Sequence, residues 1–353
     1  MSNRLFLRFG GLLGAVALIG AAQVAVPPTA HADDDDDSYC YTTRSTVTPN
    51  YAGPSASRVY DWVDPSAQTT RRFSPKVNIP AGLLDNRYVP QGLTSWANWN
   101  GTGEDLLLIA AYHDGDGDSE PDGASAVFGV VANGSRAGTG LGRMLITTGH
   151  VGGLAVYRGW LYVGSESDIR GYRLKTVRDA LSGADSNTVH PRAYNRTSSF
   201  PVAYLGKGDG HLWAGQFSET SSTRLNGYVQ TSRTTGTLDY QSDTQVYAPK
   251  KAQGVAVTSS QVIFSTSYGR NDRGNIWIFP RGQQSVTDAN SYCFRVPSMN
   301  EGVTVLRGRL YLGFESGAYT YNRGLDDPDN PITRVHSAAL TDVTSLSGGG
   351  PED

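Results

Sequence analysis

The chain has 353 residues, a formal net charge of −3 and no basic patch. That balance argues against a nucleic-acid partner, because phosphate contacts need clustered Lys and Arg. Gly is abundant at 42 residues and Tyr reaches 19, a composition of strands and turns rather than of Leu-rich helices.

Residues 1–32 read as a cleaved export signal. Arg4 and Arg8 give a positive start, 9–26 is almost entirely Gly, Ala, Leu, Val and Ile, and Ala30-His31-Ala32 supplies the small-x-small pattern for cleavage after Ala32. The apolar run is long enough to be a retained anchor, but Pro27 and Pro28 break it just before the cleavage motif. The signal has no Arg-Arg pair, which fits the general secretory route, and no Cys for lipidation. No other segment is able to span a membrane. The mature protein is therefore expected to be secreted and extracellular. Asp33 to Asp37 is a run of like charges that stays solvated, so 33–39 is expected to be disordered. Cys40 and Cys293 are the only cysteines. An even count in an exported chain points to one disulfide, with two buried thiols as the alternative. Their settings match: Ser38-Tyr39-Cys40-Tyr41 and Ser291-Tyr292-Cys293-Phe294.

From residue 40 to 345 the chain is organised by a repeat. Gln91-Gly92-Leu93-Thr94, Gly152-Gly153-Leu154-Ala155, Gln253-Gly254-Val255-Ala256 and Glu301-Gly302-Val303-Thr304 are four copies of one short segment, and Pro201-Val202-Ala203-Tyr204 is a degenerate fifth. After each comes a second strand with period-two alternation, at 106–113, 160–166, 211–217, 261–268 and 309–315. Third strands are expected at 126–131, 169–174, 224–229, 275–279 and 318–321, and more polar fourth strands at 143–148, 244–247 and 292–296. Residues 174–181 carry Leu174, Val177 and Leu181 at helical spacing and read as a short amphipathic helix. Four strands repeated five times specify an all-β chain, a β-propeller of four-stranded antiparallel blades. Pieces at 58–63 and 71–79 either complete the last blade with 332–340 or start a sixth. Residues 346–353 read as a frayed tail.

This plan resembles secreted propellers of the olfactomedin type, which have five blades and a closing disulfide, and the six-bladed lactonase and strictosidine-synthase-like type. The resemblance is architectural, covers 40–340, and rests on no family motif. The signal and composition are also similar to those of proteins exported by high-GC Gram-positive bacteria.

In such a ring, starts of first strands and ends of second strands emerge on one face. That places Gln91, His150, Gln253 and Glu301 with Tyr112, Glu166, Tyr268 and Glu315 around one channel mouth, a plausible ligand or metal site or a solvated funnel. Tyr112, Trp96 and Tyr268 are the aromatics suited to sugar stacking. The sharpest local motif is 114–122, with Asp114, Asp116, Asp118, Glu120 and Asp122 at alternate positions. Such a loop can curl around calcium. It departs from the EF-hand pattern at Ser119 and Ser125 and reads equally as a solvated acidic tip. No G-x-S-x-G or H-E-x-x-H motif is present. Two functions remain. One is a monomeric binding module for a small molecule, a carbohydrate or another cell-surface ligand. The other is a metal-dependent hydrolase or lyase acting on a lactone, ester or glycan, with Glu166, Glu315 and His150 as its acid–base groups.

Overall fold

A computed structural model describes residues 74–79, 83, 87–183, 188–196, 200–270, 272–285, 291–322, 328 and 331–344. The export signal, the acidic run, Cys40, the strand-like piece at 58–63 and the tail at 346–353 lie outside these residues. Among the described residues, no helix is long and apolar enough to cross a membrane.

The first strand, β1 (Ser74–Asn78), belongs to the last blade. Blade 1 is β2 (Tyr88–Trp96), β3 (Leu106–His113), β4 (Ser125–Val131) and β5 (Gly140–Ile146). Blade 2 is β6 (Gly153–Tyr157), β7 (Trp160–Ser165), β8 (Asp168–Arg173) and β9 (Ala193–Arg196), with helix α1 (Leu174–Ser182) between the last two. Blade 3 is β10 (Tyr204–Gly208), β11 (His211–Gly215), β12 (Thr223–Ser232) and β13 (Thr237–Ala248). Blade 4 is β14 (Ala252–Val257), β15 (Gln261–Thr266), β16 (Gly274–Pro280) and β17 (Tyr292–Val296). Blade 5 is β18 (Asn300–Leu306), β19 (Arg309–Phe314) and β20 (Arg334–Ala339), with β1 as its outer strand and helix α2 (Leu340–Thr344) following β20. All pairings are antiparallel. The protein is a five-bladed β-propeller, closed by pairing β1 with β20; among the described residues there is no sixth blade.

Each first strand packs against the first strand of the next blade, and β18 packs against β2, completing the ring. Five strands around one axis crowd more tightly than six, which explains the repeated glycine. A Cβ on Gly92 would stand 2.8 Å from the Gly152 carbonyl oxygen, one on Gly254 would stand 2.8 Å from that of Glu301, and one on Gly302 would stand 2.5 Å from Leu93 Cβ. Each glycine therefore abuts the next blade's backbone, where a side chain does not fit.

Both faces of a blade are covered by its neighbours. On β3, Leu106, Leu108, Ala110 and Tyr112 enter one apolar cluster, while Leu107, Ile109 and Ala111 enter another. Helix α1 buries Val177, Ala180 and Leu181 and lies against β5. One expected strand is absent: 319–321 forms a single 3-10 turn (Tyr319–Tyr321), and β20 takes the third-strand place beside β19. The chain turns back here because Gly317 packs under the Ile332 backbone, whose approach leaves no room for a Cβ.

Candidate functional site

The up-and-down order of each blade brings the start of its first strand and the end of its second to one face. Gln91, Gln253 and Glu301 stand at the starts of β2, β14 and β18, and Tyr112 and Glu315 at or just past the ends of β3 and β19. The pairing register slips at Pro90/Leu93, Ala252/Gly254 and Asn300/Val303. Such bulges re-aim side chains, and each of these spans one of the three polar residues that precede the repeat glycine.

A connected polar network crosses this face. Gln91 Nε2 donates to Glu315 Oε2 at 2.7 Å, and the Tyr321 hydroxyl donates to the same oxygen at 3.3 Å. The Tyr321 and Tyr112 hydroxyls are 3.2 Å apart. The Tyr112 ring meets the His150 ring edge-on at 5.1 Å, and His150 Nε2 lies 3.1 Å from Glu120 Oε2. The Arg270 guanidinium stands 5.0 Å above the Tyr321 ring. Glu301 is almost wholly buried, while Glu315 is partly exposed.

Burial pushes the Glu315 carboxyl up to about 7, opposed by the Gln91 and Tyr321 hydrogen bonds and the Arg270 charge. Glu301 is raised well above the ordinary carboxylate value, first by burial and then by the charge of Glu315. The Tyr112 and Tyr321 hydroxyls are raised too, chiefly by burial and next by Glu315. The pair therefore holds a proton near neutral pH, and its apparent pKa values belong to both carboxyls together.

The acidic loop between β3 and β4 overhangs the same face. Asp114, Asp116 and Asp118 bring one carboxylate oxygen each within 4.8 Å of one another, a grouping able to hold a metal ion. Asp114 is buried and accepts from the backbone of Gly117 and Ser119, which fixes the curl of the loop. The other two acidic residues turn to histidines. Asp122 Oδ1 is 2.7 Å from His113 Nδ1, which holds its carboxyl below the usual range, and Glu120 meets His150.

The remaining candidates are spread out. Glu166 is exposed in the β7–β8 turn with φ of 49°, and its carboxylate has no partner among the described residues. Gln253 is partly buried in the β14 bulge. Tyr268 stacks on Phe217 at 6.2 Å, with Lys251 Nζ 5.2 Å from its ring. Tyr112 and Trp96 are 2% and 6% exposed, so neither offers a stacking surface; both were drawn into the inter-blade core by strand alternation. The exposed aromatic at this face is Tyr319, 44% exposed beside Tyr321, with Arg87 over its ring. Cys293 is buried on β17, and its expected partner Cys40 lies outside the described residues.

Three features escaped the sequence reading. Tyr321 and Arg270 come from loops between strands, where no periodicity marks them. The third is a cavity of about 440 Å3 on the axis. It is lined by one apolar residue from each first strand, Leu93, Leu154, Leu205, Val255 and Val303, and it also contains Lys207. The signal was present: Lys207 and Glu301 are the only charged residues on the five first strands.

The class is thus a five-bladed propeller with a coupled carboxyl pair at one face and an axial cavity. No protein-family model matches the chain, and no curated protein matches its sequence. Solved structures similar to it include the PQQ-bound aldose sugar dehydrogenase of Streptomyces coelicolor, 13% identical with a TM-score of 0.38, covering 78% of this chain and 99% of that one. The β-propeller domain of Cps50 (Swd1) of Myceliophteria thermophila is 12% identical with a TM-score of 0.35, covering 71% of this chain and 84% of that one. A luciferin-regenerating enzyme is 11% identical with a TM-score of 0.38, covering 75% of this chain and 95% of that one.

Proposed function

We propose that the protein is an exported binding module that takes a carbohydrate or another hydroxyl-rich cell-envelope ligand on the face carrying Gln91, Glu301 and Glu315. The observation behind this reading is the partly exposed Glu315 carboxylate, held by the Gln91 amide and the Tyr321 hydroxyl with Arg270 close by. A carboxylate, an amide, phenols and a guanidinium together offer donors and acceptors for neighbouring ligand hydroxyls. Tyr319 adds an exposed ring against which a sugar can pack. We assign calcium to Asp114, Asp116 and Asp118, which would stiffen the loop over this face.

The test is calorimetric titration against soluble oligosaccharides, peptidoglycan fragments and teichoic acids. Wild type should bind at least one of these, and Glu315→Gln and Tyr319→Ala should each weaken it about tenfold, or about 1.4 kcal/mol. Undiminished binding in both variants would move the site to the rim loops.

A second reading, hydrolase or lyase, draws on the same pair. A carboxyl with a pKa of about 7 beside a second carboxyl is poised to hold and deliver a proton. Release of product from any bound glycan, ester or lactone, lost in Glu315→Gln, would favour it over binding alone.

A further inference from the structure

We infer that the axial cavity is a second ligand site, for a small molecule with an apolar body and a single carboxylate, whose charge pairs with Lys207. The cavity occupies the axis on the side of the apolar collar away from Glu301 and Glu315. On three of the five first strands a polar residue stands two positions before the collar residue: Gln91 before Leu93, Gln253 before Val255 and Glu301 before Val303. Lys207 stands two positions after collar residue Leu205. Each of the five collar side chains is no more than 3% exposed.

Lys207 is set across this space. Its Nζ reaches from blade 3 to blade 1 and donates to the Ser95 carbonyl oxygen at 2.5 Å. That contact is neutral, and no carboxylate among the described residues pairs with Lys207. Asp209, in the turn after β10, pairs with Arg281, and Asp105 pairs with Arg307. His211, on the adjoining strand, turns its Nδ1 to the Asp209 carbonyl oxygen. Lys207 is half-buried, and desolvation alone holds its pKa down, to about 8, so the ammonium is partly desolvated and still charged at neutral pH.

The other lining groups leave little polarity to spare. Thr94 Oγ1 accepts from the Val156 amide, Thr304 Oγ1 donates to Ser95 Oγ, and Thr258 Oγ1 is engaged with Gln261 and Ser260. The Tyr157 hydroxyl donates to the Gly210 carbonyl oxygen at 2.5 Å. The rest of the wall is Leu, Val, Ala and Gly. An ammonium has three donors, and two remain after the bond to Ser95. They suit the two oxygens of one carboxylate. A phosphate or sulfate dianion would call for a second cationic group, and Lys207 is the one charged residue in this wall. The charge of half-buried Lys207 is partly desolvated without a counter-charge, and a carboxylate ligand offsets that cost while its chain covers the apolar wall. At about 440 Å3 the cavity falls within the size range of small-molecule sites, about 300–1,000 Å3.

The probe pair is octanoate and octanamide, which share a chain and differ in charge, titrated at neutral pH into the full-length secreted protein. Octanoate should bind about tenfold or more tightly than octanamide to wild type. In Lys207→Met, which fills similar volume without charge, the two should bind within about threefold of each other. Circular dichroism of that variant checks its fold. Equal binding of the two probes to wild type needs no variant to read and would overturn the inference. So would a preference for octanoate that survives in folded Lys207→Met, or no octanoate binding up to millimolar concentration.

Discussion

Replacing Glu315 by Gln should make the protein more stable at alkaline pH and leave it nearly unchanged at acid pH. The folded-state pKa of Glu315 is raised from 4.5 to about 7, with burial as the largest cause. Between those values the unfolded chain has released the proton and the native state still holds it. The stability this provides is complete below pH 4.5 and is lost as pH rises through about 7. At about 1.4 kcal/mol per pH unit the gap is worth at most about 3.5 kcal/mol, reduced to about 3 because Glu315 is partly exposed and shares its proton with Glu301. Gln carries no charge to bury and keeps an oxygen that can accept from Gln91. For a domain of this size, about 3 kcal/mol corresponds to a Tm difference of about 5 °C. Melting both proteins at pH 4.5, 6 and 8 should give curves that coincide at the lowest pH and separate progressively, with the variant higher. Parallel curves across the range, or a variant less stable at pH 8, would refute the buried-pair account.

If Asp114, Asp116 and Asp118 hold calcium, chelator should lower the Tm, and Asp116→Ala with Asp118→Ala should abolish that response; calcium at about a hundred times its Kd would stabilise by about 2.7 kcal/mol. An unchanged response in the double variant would place the metal elsewhere. Cys40 and Cys293 should yield no thiol on titration of the denatured, non-reduced protein, since their pairing would stabilise by about 5 kcal/mol through chain entropy; two thiols would exclude the bond. Gly302→Ala should destabilise by about 1–3 kcal/mol, because its Cβ would stand 2.5 Å from Leu93 Cβ and 2.9 Å from Leu93 Cα across the closing seam. Gly313→Ala in the same blade meets nothing closer than 3.5 Å and serves as the control, with an expected change within about 0.5 kcal/mol in urea melts.

The propeller and its five repeats were legible, with a sixth blade left open, because the ring imposes one steric demand at each turn. In four of the five copies a glycine answers the next blade's backbone, so the demand is written into the repeat. Blade 3 hid its copy: Ala203 stands where the others have Gln, Glu or Gly, and Tyr204 where they have glycine. Its own close approach comes later, at Gly206 against Val255. The misplaced third strand of blade 5 has a different cause. Residues 318–321 sit at the spacing that the other blades use, and four residues are too few for alternation to separate strand from turn. What decides the matter is the packing of Gly317 under Ile332, a contact between distant residues. The strand starts and ends of the polar face could be placed from topology alone. Which of them touch could not, since the bulges at Gln91, Gln253 and Glu301 set side-chain direction by backbone register.

The two charged residues of the first strands also show why this axis divides into two sites. Had Glu301 and Lys207 stood close together, each would have favoured the other's charged form, lowering the carboxyl pKa and raising that of the amine. The opposite holds: Glu301 is raised and Lys207 is lowered, each chiefly by burial. Neither charge is among the causes of the other's shift, and the apolar residues Leu93, Leu154, Leu205, Val255 and Val303 stand between them along the strands. Each group is left with a need that the protein does not meet. On one face the need is for a proton, a cation or hydroxyl donors, and on the other it is for an anion. The two needs stand on opposite sides of the same ring of apolar residues, Glu301 two positions before Val303 and Lys207 two positions after Leu205, so two ligands, one from each side, answer both.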